Sequence, residues 1–156
     1  MGQSGLTFMD AKAWHAQAWE FLCRCVASSS VELGGCIREA NHLFRIGPEA
    51  FGVSLSSLGE EKAVAALLDA GASESATFAL LGRETAFMVS RAVSGSYLAT
   101  VVLPGRTEEF TARGRTLELA LLAAKTAALL AEAENALGMP RDALVPKREK
   151  AGIQAG

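Results

Sequence analysis

The chain has 156 residues, of which 50 % are hydrophobic and 21 % charged, and its net charge is −2 at neutral pH. That length is one domain's worth, and the balance of apolar to charged residues excludes an intrinsically disordered chain. A concentrated basic surface of the kind a dedicated nucleic-acid binder carries is not required either, because the first eighty residues hold five Lys/Arg against nine Asp/Glu and the remainder ten against eight.

Aromatic residues make up only 6 % of the chain, so the core must be aliphatic and rich in alanine. Asp10 is a good N-cap for a first helix in which Trp14, Ala18, Phe21, Leu22 and Cys25 recur at helical spacing, ended by Ser28 to Ser30. A second helix is expected over Val31 to Phe44, with Leu33, Cys36, Ile37, Ala40 and Leu43 or Phe44 on one side. Gly47-Pro48 breaks it, and Arg45 to Gly52 is the best internal boundary. Residues 1–52 thus form an N-terminal helical segment packed on an α+β core of residues 53–138, and residues 139–156, which lack periodicity, form a flexible tail.

Ser57 and Glu60 have the spacing of a capping box for a third helix, with Ala63, Val64, Leu67 and Leu68 as its buried stripe and Gly71 as its C-cap. A short helix from Ser73 to Leu81 stops at Gly82. The period then changes to that of strands. Thr85 to Val93 alternates loosely, Ser94-Gly95 is a turn, and "SYLATVVL" has strong β character. Pro104-Gly105 fits a type II turn. The following "RTEEFTA" alternates too, with Glu108, Phe110 and Ala112 on one face, and it reads as an edge strand. A long helix from about Thr116 to Leu137 closes at Gly138. It is apolar over more than one face, which demands cover from the sheet and from either another helix or another subunit. The order predicts an α+β fold in which a three-stranded antiparallel meander takes helices on one face.

Three cysteines with no secretory leader pattern argue against a disulfide framework. Leu6 occupies the position where myristoylation after Gly2 wants Ser or Thr. No apolar stretch is long enough for a bilayer, so a reducing, cytoplasmic setting is expected. A zinc site from Cys23, Cys25, Cys36 and His42 is opposed by spacing. Cys23 and Cys25 lie about 200° apart around a helix, whereas structural zinc uses two to four intervening residues. His15 and Cys25 share a helix but are separated by about 15 Å along its axis, too far for a nucleophile and its base. Glu108 and Glu109 face opposite sides of a strand, and Glu60 and Glu61 complement a helix N-terminus. No catalytic, cofactor-binding or metal-binding residue is assigned. Arg106, Arg113 and Arg115 flank the hairpin near the start of the long helix, where an anion could be held, although they also serve to blunt an edge strand.

From Ser73 to Leu130 the pieces "ESATFALLG", "TAFMVSRAV", "YLATVVLPG", "EEFTARGRT" and "LELALLAAKTAALL" resemble the phage ABA sandwich domain proteins. Those small phage- and prophage-encoded proteins run helix, three-stranded meander, helix. Thr116 and Ala120 carry the last of these pieces, and the first 55 residues depart from the pattern. It implies an α/β sandwich without a cofactor, in a mobile-element context. The expectation is a non-enzymatic protein that works through self-association or contacts with another protein, with Trp14, Trp19, Leu122 and Leu129 as interface candidates. Nucleic-acid or anion binding through the three arginines is the alternative.

Overall fold

In a computed structural model of the protein, residues 10–46 and 58–139 are described. Helix α1 spans Ala11–Ala27, and the Asp10 carboxylate accepts from the Ala13 N–H. Its buried residues are the five that recur at helical spacing. The second helix does not begin at Val31. A single 3-10 turn, Ser30–Glu32, comes first, because the Glu32 carboxylate accepts from the Ser29 N–H at 2.6 Å and from the Ser29 hydroxyl at 3.1 Å. Helix α2 then runs Leu33–Ile46. The Gly47-Pro48 turn and most of the proposed internal boundary lie outside the described residues, as do residues 140–156 of the tail.

Helix α3 spans Glu61–Asp69 and helix α4 spans Ser73–Leu81. Glu60 is the N-cap of α3 rather than its third residue, and its own side chain makes no capping hydrogen bond. Ser57, the other member of the expected capping box, lies outside the described residues. The Gly59 N–H instead donates to the Ala79 carbonyl at 2.9 Å, tying the approach to α3 onto α4. The expected stripe is corrected as well. Val64 alone in α3 is buried, Leu67 and Leu68 are half-buried and Ala63 is exposed, because α3 packs on α2 and α4 at the periphery. Gly71 ends the helix in the left-handed region at φ +83°.

Strands β1 (Ala86–Arg91), β2 (Tyr97–Val102) and β3 (Phe110–Gly114) form an antiparallel sheet in the order β1-β2-β3. Ala99 of β2 pairs with Val89 on one side and Ala112 on the other, and Val101 pairs with Phe87 and Phe110. These residues share the face that packs on the helices, with Ala99 and Val101 fully buried. Met88, Thr100 and Thr111 are aligned on the outer face, where the two threonine hydroxyls meet at 2.9 Å. The Pro104-Gly105 turn forms, with Gly105 at φ +74° and Arg106 N–H donating to the Leu103 carbonyl at 3.0 Å. The third strand starts later than its alternation predicts. Residues 106–109 are not strand, because Leu103 turns into the core and Arg106 is held by Glu132 on the last helix.

That helix, α5, spans Leu117–Leu137 and is capped at both ends. The Thr116 hydroxyl accepts from the Leu119 N–H at 3.1 Å, and Gly138 closes the helix in the left-handed region. It is buried without a break from Leu119 to Ala131. The sheet covers one side, mainly through β2 and β3, and α1, α2 and α4 cover the others. Its wide apolar surface is thus absorbed within the chain.

Candidate functional site

Four places bring together groups with chemical potential: the arginine-flanked hairpin, the polar groups buried in the helical layer, the thiols between α1 and α2, and the open edge of the sheet.

At the hairpin, the connection from β2 to β3 and the C-terminal half of α5 enclose a cleft of about 460 Å³, lined by Leu103, Arg106, Thr107, Glu108, Phe110, Glu132, Asn135 and Ala136. Within that lining Arg106 is a bidentate partner of Glu132, at 2.9 and 3.0 Å, and this bond raises the guanidinium pKa further. The arginine's fork is already occupied by a carboxylate. Arg115 lies beyond the other end of β3, roughly 16 Å away at 3.3 Å per strand residue, and donates to the Ala27 carbonyl at 3.2 Å. Arg113 pairs with Leu98 across the strands and is exposed on the outer face. The three arginines thus point to three different places. Gly114 further closes the corner at the start of α5: a Cβ there would lie 2.4 Å from the Ala120 nitrogen.

The interface candidates are placed differently from the expectation. Trp14, Leu122 and Leu129 are core residues, at most 1 % exposed. The Trp14 indole N–H donates to the Leu43 carbonyl at 2.9 Å and so joins α1 to α2. Trp19 is half-buried and packs against the same core. The physical reason is that α5 and α1 lie along one another, so the apolar faces that would have made an interface meet inside one chain.

Two buried polar groups escape sequence reasoning. Lys125 is 4 % exposed in the middle of α5, and its ammonium donates to the Leu80 and Leu81 carbonyls, each at 2.8 Å. It thereby satisfies the open C-terminal carbonyls of α4, and it sits 5.3 Å from the centre of the Phe44 ring. Burial, and then the nearby Arg45 charge, push its pKa down to about 7. A signal was present, since Lys125 is the only charge between Glu118 and Glu132. His15 meets Glu134 at 3.0 Å, with the glutamate fully buried. No local pattern could reveal that pair, which is 119 positions apart.

Of the thiols, Cys23 is exposed, while Cys25 and Cys36 are buried. The Cys36 sulfur lies 3.7 Å from the Ser28 hydroxyl, which donates in turn to the Arg24 carbonyl at 2.6 Å. Among the described residues, no group of three or more His, Cys, Asp or Glu side chains is arranged to hold a metal ion.

The sheet has two unlike edges. The β3 edge carries Arg113, is followed by Arg115 and contacts α1. Among the described residues no strand pairs with the outer edge of β1. Phe87 there is 44 % exposed and Met88 72 %, although Phe87 is on the helix-facing side. The Phe78 ring of α4 stacks on Phe87 at 5.5 Å with 22° between the planes. No helix among the described residues is long and apolar enough to cross a membrane. Comparison of the chain with protein-family models, curated proteins and solved structures gives no match.

Proposed function

We propose that this protein is non-enzymatic and acts by self-association, with β1 adding edge to edge to β1 of a second copy. The observation that carries this reading is the open β1 edge beside the Phe78–Phe87 stack. Among the described residues no strand takes up its outer backbone donors and acceptors, and it contains no proline or lysine to discourage pairing. A two-fold axis perpendicular to the sheet makes such pairing antiparallel and keeps both helical layers on one face. Centred on Met88, it sets Phe87 opposite Val89 and brings each Arg91 beside Thr85 of the other copy, so the two Arg91 side chains stay apart.

The non-enzymatic part of the reading is supported by how the reactive groups are used. His15 pairs with buried Glu134, Lys125 caps a helix, and the cleft's arginine is clamped by Glu132. The helix–meander–helix order of residues 73–130, where the sequence resembles phage ABA sandwich domain proteins, supports a mobile-element origin and a cytoplasmic setting. Capsid, tail or integrase genes beside the coding sequence would bear on that origin directly.

Sedimentation velocity over a range of concentrations tests the contact. Wild type is expected to show a concentration-dependent dimer. Met88→Lys, on an exposed position, places two like charges face to face in the dimer and should weaken it by ~10-fold or more, about 1.4 kcal/mol. A strict monomer at several hundred micromolar, or a dimer indifferent to Met88→Lys, sinks the reading.

A further inference from the structure

The helices cover one face of the sheet, through Ala99 and Val101 of β2. The other face carries the central row Met88–Thr100–Thr111, with Leu98 and Val102 two residues along β2 on either side of that row. Arg113, opposite Leu98, is the only charge that the strands bring to this face. Met88 is 72 % exposed, and neither it nor Leu98 nor Val102 belongs to the core. One copy alone offers roughly 14 by 19 Å of sheet, about 270 Å² a side, which is less than a specific interface needs. Edge pairing changes that. In the β1–β1 dimer, the reading on which this inference rests, the two-fold axis joins two such faces into one of about 550 Å². Met88 of both copies then lies at the centre, and β3 with Thr111 and Arg113 at the margins. An apolar centre with a polar rim is the anatomy of a contact surface.

We propose that this joined face packs on its equivalent from a second dimer, giving a tetramer whose two sheets lie face to face about 10 Å apart. The contact then buries about 1,100 Å² counted on both sides, which reaches the range of specific interfaces. Symmetry selects the occupant. A face with its own two-fold axis is matched over its whole extent by a partner with the same axis. Charge selects it too. Glu109 immediately precedes β3, is exposed, and stands at the same alternation as Thr111 and Arg113. Glu109 and Arg113 are therefore offset by about 7 Å to opposite sides of the central row. A two-fold axis in the plane between the sheets exchanges those two levels. Each Arg113 is thereby set over Glu109 of the opposing dimer, at the rim, where opposite charges fix the register of a contact.

The test is sedimentation velocity on the full chain up to several hundred micromolar, with circular dichroism to check that each variant is folded. Wild-type dimer should give way to tetramer as concentration rises. Thr100→Lys buries a charge in the tetramer contact, yet the two lysines of one dimer stay about 14 Å apart across its axis. The dimer should therefore persist while the tetramer weakens by ~10-fold or more. Arg113→Glu should weaken the tetramer several-fold, and Arg113→Glu/Glu109→Arg should restore it, because the exchanged pair is again complementary. If Thr100→Lys does not fold, the charge exchange decides alone. Wild type that stops at the dimer overturns the inference and leaves the edge contact standing, whereas a strict monomer sinks both. A tetramer indifferent to Thr100→Lys or to Arg113→Glu, or one that the exchanged pair does not restore, overturns it as well.

Discussion

Lys125 shows how a single side chain can be correct for its fold and costly for it. The ammonium holds two carbonyls at the end of α4, but burial brings its pKa down to about 7. Between about pH 7 and the unfolded value near 10.5, the unfolded chain binds a proton that the folded chain has lost. The contribution of this group to stability therefore rises with pH across that window, by at most ~1.4 kcal/mol per pH unit, and is flat below it, where both states are charged. Lys125→Met removes the titration. Urea denaturation at several pH values should show wild type gaining on Lys125→Met from pH 7 to pH 10. A constant difference between the two proteins would mean that the lysine titrates as it does in water.

At the scale of elements, the corner between β3 and α5 sets how the last helix lies on the sheet. Gly114 is where the two backbones come closest, and a Cβ there would meet the Ala120 nitrogen at 2.4 Å and the Leu119 carbonyl carbon at 2.8 Å. Both are backbone atoms, so no rotamer change relieves the clash. Gly114→Ala should cost about 1–3 kcal/mol in chemical denaturation. Gly35, inside α2 with open space around its Cα, is the contrast. Gly35→Ala should stabilise by up to about 1 kcal/mol. Equal effects at the two positions would remove the close approach as an explanation. Most element boundaries were legible because their signals are local: Asp10 as a cap, Gly71, Gly82 and Gly138 as stops, Pro104-Gly105 as a turn. The failures were also local in appearance. The alternation from Arg106 to Glu109 looks like strand, but Glu132, far along the chain, pulls Arg106 onto α5. Glu60 was expected inside α3 but is its N-cap, where the Gly59–Ala79 hydrogen bond ties the approach to α4.

For the whole molecule, α5 is the shared wall between the sheet and the other helices. A protein whose layers share one buried helix should unfold as a unit. Tryptophan fluorescence, which reports on Trp14 and Trp19 of α1, and far-ultraviolet circular dichroism should therefore give the same denaturation midpoint. Leu122→Ala, in the middle of α5, should move both together and cost about 2–5 kcal/mol. An earlier fluorescence transition would show α1 detaching as its own unit.

The sequence by itself determined the inventory of helices and strands, the antiparallel meander and the demand that α5 be covered on more than one side. These follow from side-chain period, capping and turn chemistry, all of which act within a few residues. Tertiary structure alone decided what does the covering. It turned Trp14, Leu122 and Leu129 into core, sent the three arginines in different directions, joined His15 to Glu134, and left β1 with no strand on its outer side among the described residues. Such meetings depend on which apolar faces pack together across long stretches of chain, and a residue's neighbours in sequence exert no force that records them.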